Sequence, residues 1–284
     1  MSKEKRSTWP LDVYGGVRLH MSYFAKHMKW RPFLLYHLVA FFLFFSWIFP
    51  PTATLWQEFD IAIFRFLNGS LENRPLTQVF WALANVKITD LFGAIFMAAF
   101  SLIYVFEKGK ETAKHRLAQF FYLCIWGEIG ILTLKEVIFP LLVSVNFLRE
   151  SPSLIFNDTI RLSGIVSWLK IKDHSYWSFP GDHAFIALQW AGFITYFCGW
   201  RHGILAYLSS IFFILPRLIA GAHWMTDALI GSFSLALILL AWGAATPLYA
   251  FSMKYLEQFS AFLFRCISTL YSKLGVTRVK KPSF

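Results

Sequence analysis

Arg217-Leu-Ile-Ala-Gly221-Ala-His223-Trp-Met-Thr-Asp227 is a short polar interruption between two apolar runs, about 203–220 and 226–250. Charged side chains are costly in hydrocarbon, so an Arg, a His and an Asp this close together point to a site. His223 and Asp227 are four residues apart. That spacing predicts a shared helical face, with Asp227 accepting a hydrogen bond from one imidazole nitrogen. The other nitrogen is then free as a base or nucleophile. Arg217 offers a planar, permanent cation matched to phosphate. Gly221 permits the turn between the apolar runs and the close approach of backbone amides to a ligand.

Outward from that stretch the chain is apolar in long runs. It has 284 residues, 57% hydrophobic and 15% charged, whereas soluble domains average about 45–50% apolar and about 25% charged. Runs at about 32–57, 80–106, 117–143, 183–200, 203–220 and 226–250 are each long enough for a hydrocarbon core of ~30 Å. The expected fold is all-α: a polytopic membrane protein, a six-transmembrane-helix bundle. Residues 1–31 read as a basic cytoplasmic arm, 32–250 as the membrane domain and 251–284 as an amphipathic, basic tail. Pro50-Pro51 are expected to close the first span, with 58–75 a short outer loop.

Lys and Arg concentrate on the cytoplasmic side of membrane proteins. This places both termini and the basic turns 107–116 and 201–202 inside. The loops 144–181 and 217–226 then share the outer face. Loop 144–181 is also basic, which an anionic substrate bound outside accounts for. The net charge of +11 suits an anionic lipid surface and an anionic substrate better than nucleic acid. Cys124, Cys198 and Cys266 show no metal or disulfide spacing and read as reduced packing residues. No carboxylate cluster has Mg²⁺-ligand character, so neither metal nor cofactor is expected.

A second polar cluster, Ser178-Phe-Pro180-Gly181-Asp182-His183, precedes the fourth run. Pro180-Gly181 is a turn signal and Asp182 a helix N-cap candidate. The free amides of that helix start suit an anion. Two histidines on one membrane face fit a two-step phosphoryl transfer, in which one attacks phosphorus and the other protonates the leaving oxygen.

Arg217-x5-His223-x3-Asp227 together with Pro180-Gly181-Asp182-His183 resembles the type 2 phosphatidic acid phosphatase superfamily, whose third motif is Arg-x5-His-x3-Asp and whose second is Pro-Ser-Gly-His. The resemblance implies that His223 is the nucleophile, forming a phosphohistidine. It further implies that Asp227 orients it, His183 is the general acid and Arg217 holds phosphate. Here Gly181 stands for the family Ser and Asp182 for its Gly, so a hydroxyl contact is lost; Ser178 or the Gly181 amide substitutes. Of the first motif, Lys-x6-Arg-Pro, Arg149 is the match and Lys135 lies too far upstream. Similarity is closer to one branch, through Arg149-x-Ser-Pro, Phe-x-Asp158, Arg161, Lys172-Asp173, Ser178-Phe-Pro-Gly-Asp-His and Asn85-x-Lys87-x-x-Asp90. That branch holds inner-membrane lipid A 1-phosphate phosphotransferases, which take phosphate from undecaprenyl pyrophosphate.

The candidates are therefore His223, Asp227 and His183 as catalytic residues. Arg217, Arg149, Gly181, Ser178, Asp182, Lys135 and Lys87 are candidate substrate-binding residues. Arg161, Lys170 and Lys172 read rather as a solvated or headgroup-facing loop. The partners implied are a lipid pyrophosphate donor, lipid A or another phospholipid as acceptor, and the membrane. A phosphatase of undecaprenyl pyrophosphate or phosphatidylglycerol phosphate is the alternative. A non-catalytic lipid transporter or binder is a further one, although no internal repeat is visible.

Overall fold

The computed structural model describes residues 27–273. The arm assigned to 1–31 lies almost wholly outside the described residues, as does the end of the tail. Among the described residues no strand forms; one isolated bridge pairs Val86 with Ile171. The helices are α1 (Trp30–Ile48), α2 (Pro50–Gly69), α3 (Pro75–Ala84), α4 (Lys87–Phe106) and α5 (Lys110–Leu132). α5 continues through a π-helical stretch, Thr133–Ile138, into Phe139–Ser144. Two short turns, α6 (Pro152–Ile155) and α7 (Leu162–Ile165), stud the next loop. Then come α8 (Asp182–Cys198), α9 (Trp200–Ile219), a π-helical stretch Asp227–Ser232 leading into α10 (Phe233–Ala245), and α11 (Pro247–Lys273).

Among the described residues five helices are long and apolar enough to cross a membrane: α1, α4, α5 through Ser144, α9, and Asp227–Ala245. The fourth expected run is α8, 17 residues long, about 25 Å at ~1.5 Å per residue. It is the central element. Trp190, Phe193 and Ile194 are buried against its neighbours, and its Gln189 donates to the Trp126 carbonyl of α5 at 2.9 Å. Only 6% of α1 is buried, against 72% of Asp227–Ala245. The last span is therefore an inner helix and α1 an outer, lipid-facing one. The chain is an all-α, multi-pass membrane protein.

Two readings change. Pro50-Pro51 do not lead into a loop; they open α2, whose first turn carries the prolines where a missing N–H costs nothing. The tail begins with the helix α11. It lies along α5 through Tyr249 on Tyr122 and Phe259 on Phe121. Cys124 and Cys266 are exposed, not packed.

Candidate active site

α9 ends at the quoted stretch. Gly221 has φ +75°, and a Cβ there would stand 3.0 Å from Phe64 and 3.1 Å from Ser153; both conformation and space call for glycine. The turn is read along its length by one stripe of α2, Asp60, Phe64 and Asn68, spaced four apart and all buried. Asn68 donates to the Ile219 carbonyl at 3.0 Å. Phe64 packs edge-on to Trp224. Asp60 accepts the Thr226 amide at 2.8 Å and its hydroxyl at 2.5 Å. From the other side the outer loop closes on the same turn. Ser153 N donates to Gly221 O at 3.2 Å, and Trp224 Nε1 to Glu150 O at 2.8 Å.

His223 sits in this turn, 7% exposed. Its Nδ1 lies 2.7 Å from the Ser178 carbonyl. A carbonyl only accepts, so Nδ1 carries the proton and Nε2 carries the lone pair. Nε2 is buried and makes no hydrogen bond within the protein. The partner expected for Nδ1 was Asp227, but its carboxylate stands 3.5 Å away and is engaged elsewhere. Oδ2 accepts the Trp224 amide at 2.8 Å and Oδ1 accepts Arg149 at 2.5 Å. Asp227 thus braces the turn, and a backbone carbonyl from the second motif sets the tautomer.

The second motif is pinned to the third. Ser232 Oγ donates to both the Gly181 and Asp227 carbonyls, at 2.7 and 2.8 Å. Gly231 lets the loop lie down: a Cβ there would meet Phe179 and Pro180, each at 2.7 Å. His183, in the first turn of α8, has both ring nitrogens on carboxylates. Nδ1 is 2.6 Å from Asp182 Oδ1 and Nε2 is 3.1 Å from Asp90 Oδ2. A proton on each nitrogen satisfies both, which is the form a general acid requires. Asp182 Oδ1 is also 3.8 Å from His223 Nε2. One carboxylate oxygen therefore lies between the two imidazoles and bounds their separation at the sum of those two distances.

Arg217 is 4% exposed. Nη1 donates to the Asn85 carbonyl and side chain at 3.0 Å each, and Nη2 to Asp90 at 2.9 Å. Nη2 is also 3.1 Å from His183 Nε2. Gly181, His183, Arg217 and His223 line one small cleft. Arg149 sits beyond Asp227, bonded to Thr226, Asp227 and Asp60 at 2.8, 2.5 and 2.6 Å. Its guanidinium lies over the rings of Trp47 and Trp224. Burial pushes the Asp60 carboxyl above its ordinary range, outweighing the pull of Thr226 and Arg149.

The loops at this end of the bundle thus bring together His223, His183, Asp227, Asp182, Gly181, Ser178, Arg217 and Arg149. Ser178 contributes its carbonyl, while its buried hydroxyl makes no hydrogen bond within the protein. Lys87 and Lys135 are exposed and show no contact with either imidazole. Asp60, Asn85, Asp90 and Thr226 were not among the sequence candidates. Asn85 and Asp90 stood in a quoted motif, next to a lysine that drew the attention. Asp60 had a signal too, the four-residue period with Phe64 and Asn68, masked by the reading of 58–75 as a loop.

A family model described as the PAP2 superfamily matches residues 156–251. The lipid A 1-diphosphate synthase of Escherichia coli K12 is 30% identical over 215 residues, covering 76% of this chain and 87% of that protein. No solved structure matches the chain. Both histidine clusters fall inside the family match, whereas Asp60, Asp90 and Arg149 precede it. With this relationship and a two-imidazole site at the head of a helical membrane bundle, the chain belongs to the PAP2 superfamily, on the branch of that synthase, as an enzyme of lipid phosphates.

Proposed function

We propose that the enzyme moves the distal phosphate of undecaprenyl pyrophosphate to lipid A 1-phosphate through a phosphohistidine on His223. The observation that carries this is the state of His223: Nδ1 is protonated against a fixed carbonyl, and Nε2 is a buried, unengaged lone pair. In the first step Nε2 attacks the distal phosphorus. An N–P bond forms, the bridging P–O bond breaks, and the leaving monophosphate oxygen takes the proton of His183. In the second step a phosphate oxygen of the acceptor attacks the same phosphorus. The N–P bond breaks, a P–O bond forms, and His183 takes the proton of the attacking phosphate hydroxyl. Cationic and N–H groups stabilise charge on the transferring group. The relative's name, lipid A 1-diphosphate synthase, supports transfer over hydrolysis. The positive-inside pattern supports a periplasmic site, six spans including α8, and cytoplasmic termini.

The test is purified enzyme with radiolabelled donor and lipid A. Labelled lipid A diphosphate is the expected product. Release of inorganic phosphate alone, with acceptor present, would make the enzyme a phosphatase instead.

A further inference from the structure

Among the cations around His223, the two arginines are already committed. Arg217 spends its donors on Asn85 and Asp90. Arg149 spends its own on Thr226, Asp227 and Asp60. Lys87 and Lys135 are exposed and make no ion pair with a site carboxylate among the described residues. Lys172 differs. Its ammonium lies 3.5 Å from Asp182 Oδ2, and the two side chains are 41% and 38% exposed. That separation exceeds the ~2.7–2.9 Å of a strong charge-assisted bond, so the ammonium keeps donors for another anion.

The place of Lys172 is nonetheless fixed. Its neighbour Ile171 bridges to Val86 at the start of α4. On the other side Asp173 is fully buried and accepts the Ser163 amide at 2.9 Å. The backbone is thus anchored on both sides of a flexible four-carbon stem. The other oxygen of the Asp182 carboxylate stands 3.8 Å from His223 Nε2. A phosphoryl group presented to Nε2 must settle beside that carboxylate, whose negative charge opposes it.

We propose that Lys172 is a substrate-binding residue that exchanges the Asp182 carboxylate for the phosphate of the incoming lipid. Asp182 holds its place before the substrate arrives. The exchange swaps one ion-pair partner for another, with no bond made or broken. The inference rests on His223 being the residue that meets phosphorus.

The experiment uses the full-length enzyme and inorganic phosphate as the probe, both as an inhibitor of donor turnover and by equilibrium dialysis of radiolabelled phosphate. Lys172→Met is expected to weaken phosphate roughly 10- to 100-fold, the worth of one hydrogen bond to a charged group. Lys172→Arg is expected to restore most of it. Asp182→Asn, which removes the competing charge, is expected to tighten phosphate. A Lys172 that only braced Asp182 would lower kcat on substitution and leave phosphate affinity alone. Unchanged affinity in Lys172→Met, or weaker phosphate in Asp182→Asn, overturns the proposal, as does a wild type that binds no phosphate. If the wild type binds phosphate and Lys172→Met does not, yet no phosphohistidine forms, the nucleophile assignment fails and the Lys172 site stands.

Discussion

At the scale of single residues, the site separates groups that meet phosphorus from groups that hold them. His183 bears a proton between Asp182 and Asp90. Its replacement by Gln is expected to lower kcat about 10²- to 10⁴-fold, the usual worth of general acid catalysis, with donor KM changed far less. Steady-state kinetics in detergent check this, and a change confined to KM would argue against it. Asp60 holds Thr226 by two contacts, of which the hydroxyl bond is the one a side-chain substitution removes. Asp60→Asn and Thr226→Val are therefore expected to be non-additive in a double-mutant cycle on kcat/KM. Additive losses would show that Asp60 does not work through Thr226.

At the scale of elements, α2 is a clamp on the catalytic turn. Gly221→Ala places a side chain at positive φ against Phe64 and Ser153. The backbone penalty alone is about 1–2 kcal/mol, so a lowered Tm with impaired turnover is expected, and a neutral effect would contradict the close approach. The loop 149–178 carries its own ionic anchor. Burial acts to raise the Asp173 carboxyl, but bonds from Ser163 and His174 prevail and hold it below its ordinary 3.8. A lowered folded pKa stabilises above the unfolded value and is lost as pH falls through the folded one. The fluorescence of Trp168 and Trp177 should therefore stay constant down to about pH 4 and change only in stronger acid. Asp173→Asn should abolish that acid transition.

The same element shows what could be read beforehand and what could not. The spans and the two histidine loops were legible because charges amid apolar runs are conspicuous, and because motif spacing survives without structure. α2 was not, because prolines at its start resemble a stop and its polar face resembles a loop. The role of Asp227 was half legible: its spacing from His223 was right, but the competition from Arg149 and the Trp224 amide is tertiary. Lys172 reads as a solvated or headgroup-facing loop residue and is 41% exposed; what no local signal gives is the pairing of Val86 with Ile171 that places it.

At the scale of the whole molecule, the bundle delivers a membrane-held lipid to a polar head built from loops on one side. The charge of the transferring phosphoryl group falls to imidazole and to Lys172 in this scheme. Activity is accordingly expected to persist in EDTA, and loss with recovery on adding a divalent ion would refute that expectation. Sidedness follows as well. In a background with its three cysteines replaced, Trp168→Cys, in the outer loop, should react with an impermeant thiol reagent in spheroplasts, and a cysteine at Lys254 should not.

The proposed transfer depends most on a covalent bond between phosphorus and Nε2 of His223. The direct measurement is to quench the enzyme in alkali after mixing it with donor carrying ³²P in the distal phosphate, and to map the protein-bound label by mass spectrometry. Acid-labile, alkali-stable label on His223, discharged by acceptor lipid and missing in His223→Ala, is the predicted result. Turnover without any protein-bound label, or label that persists in His223→Ala, would contradict it.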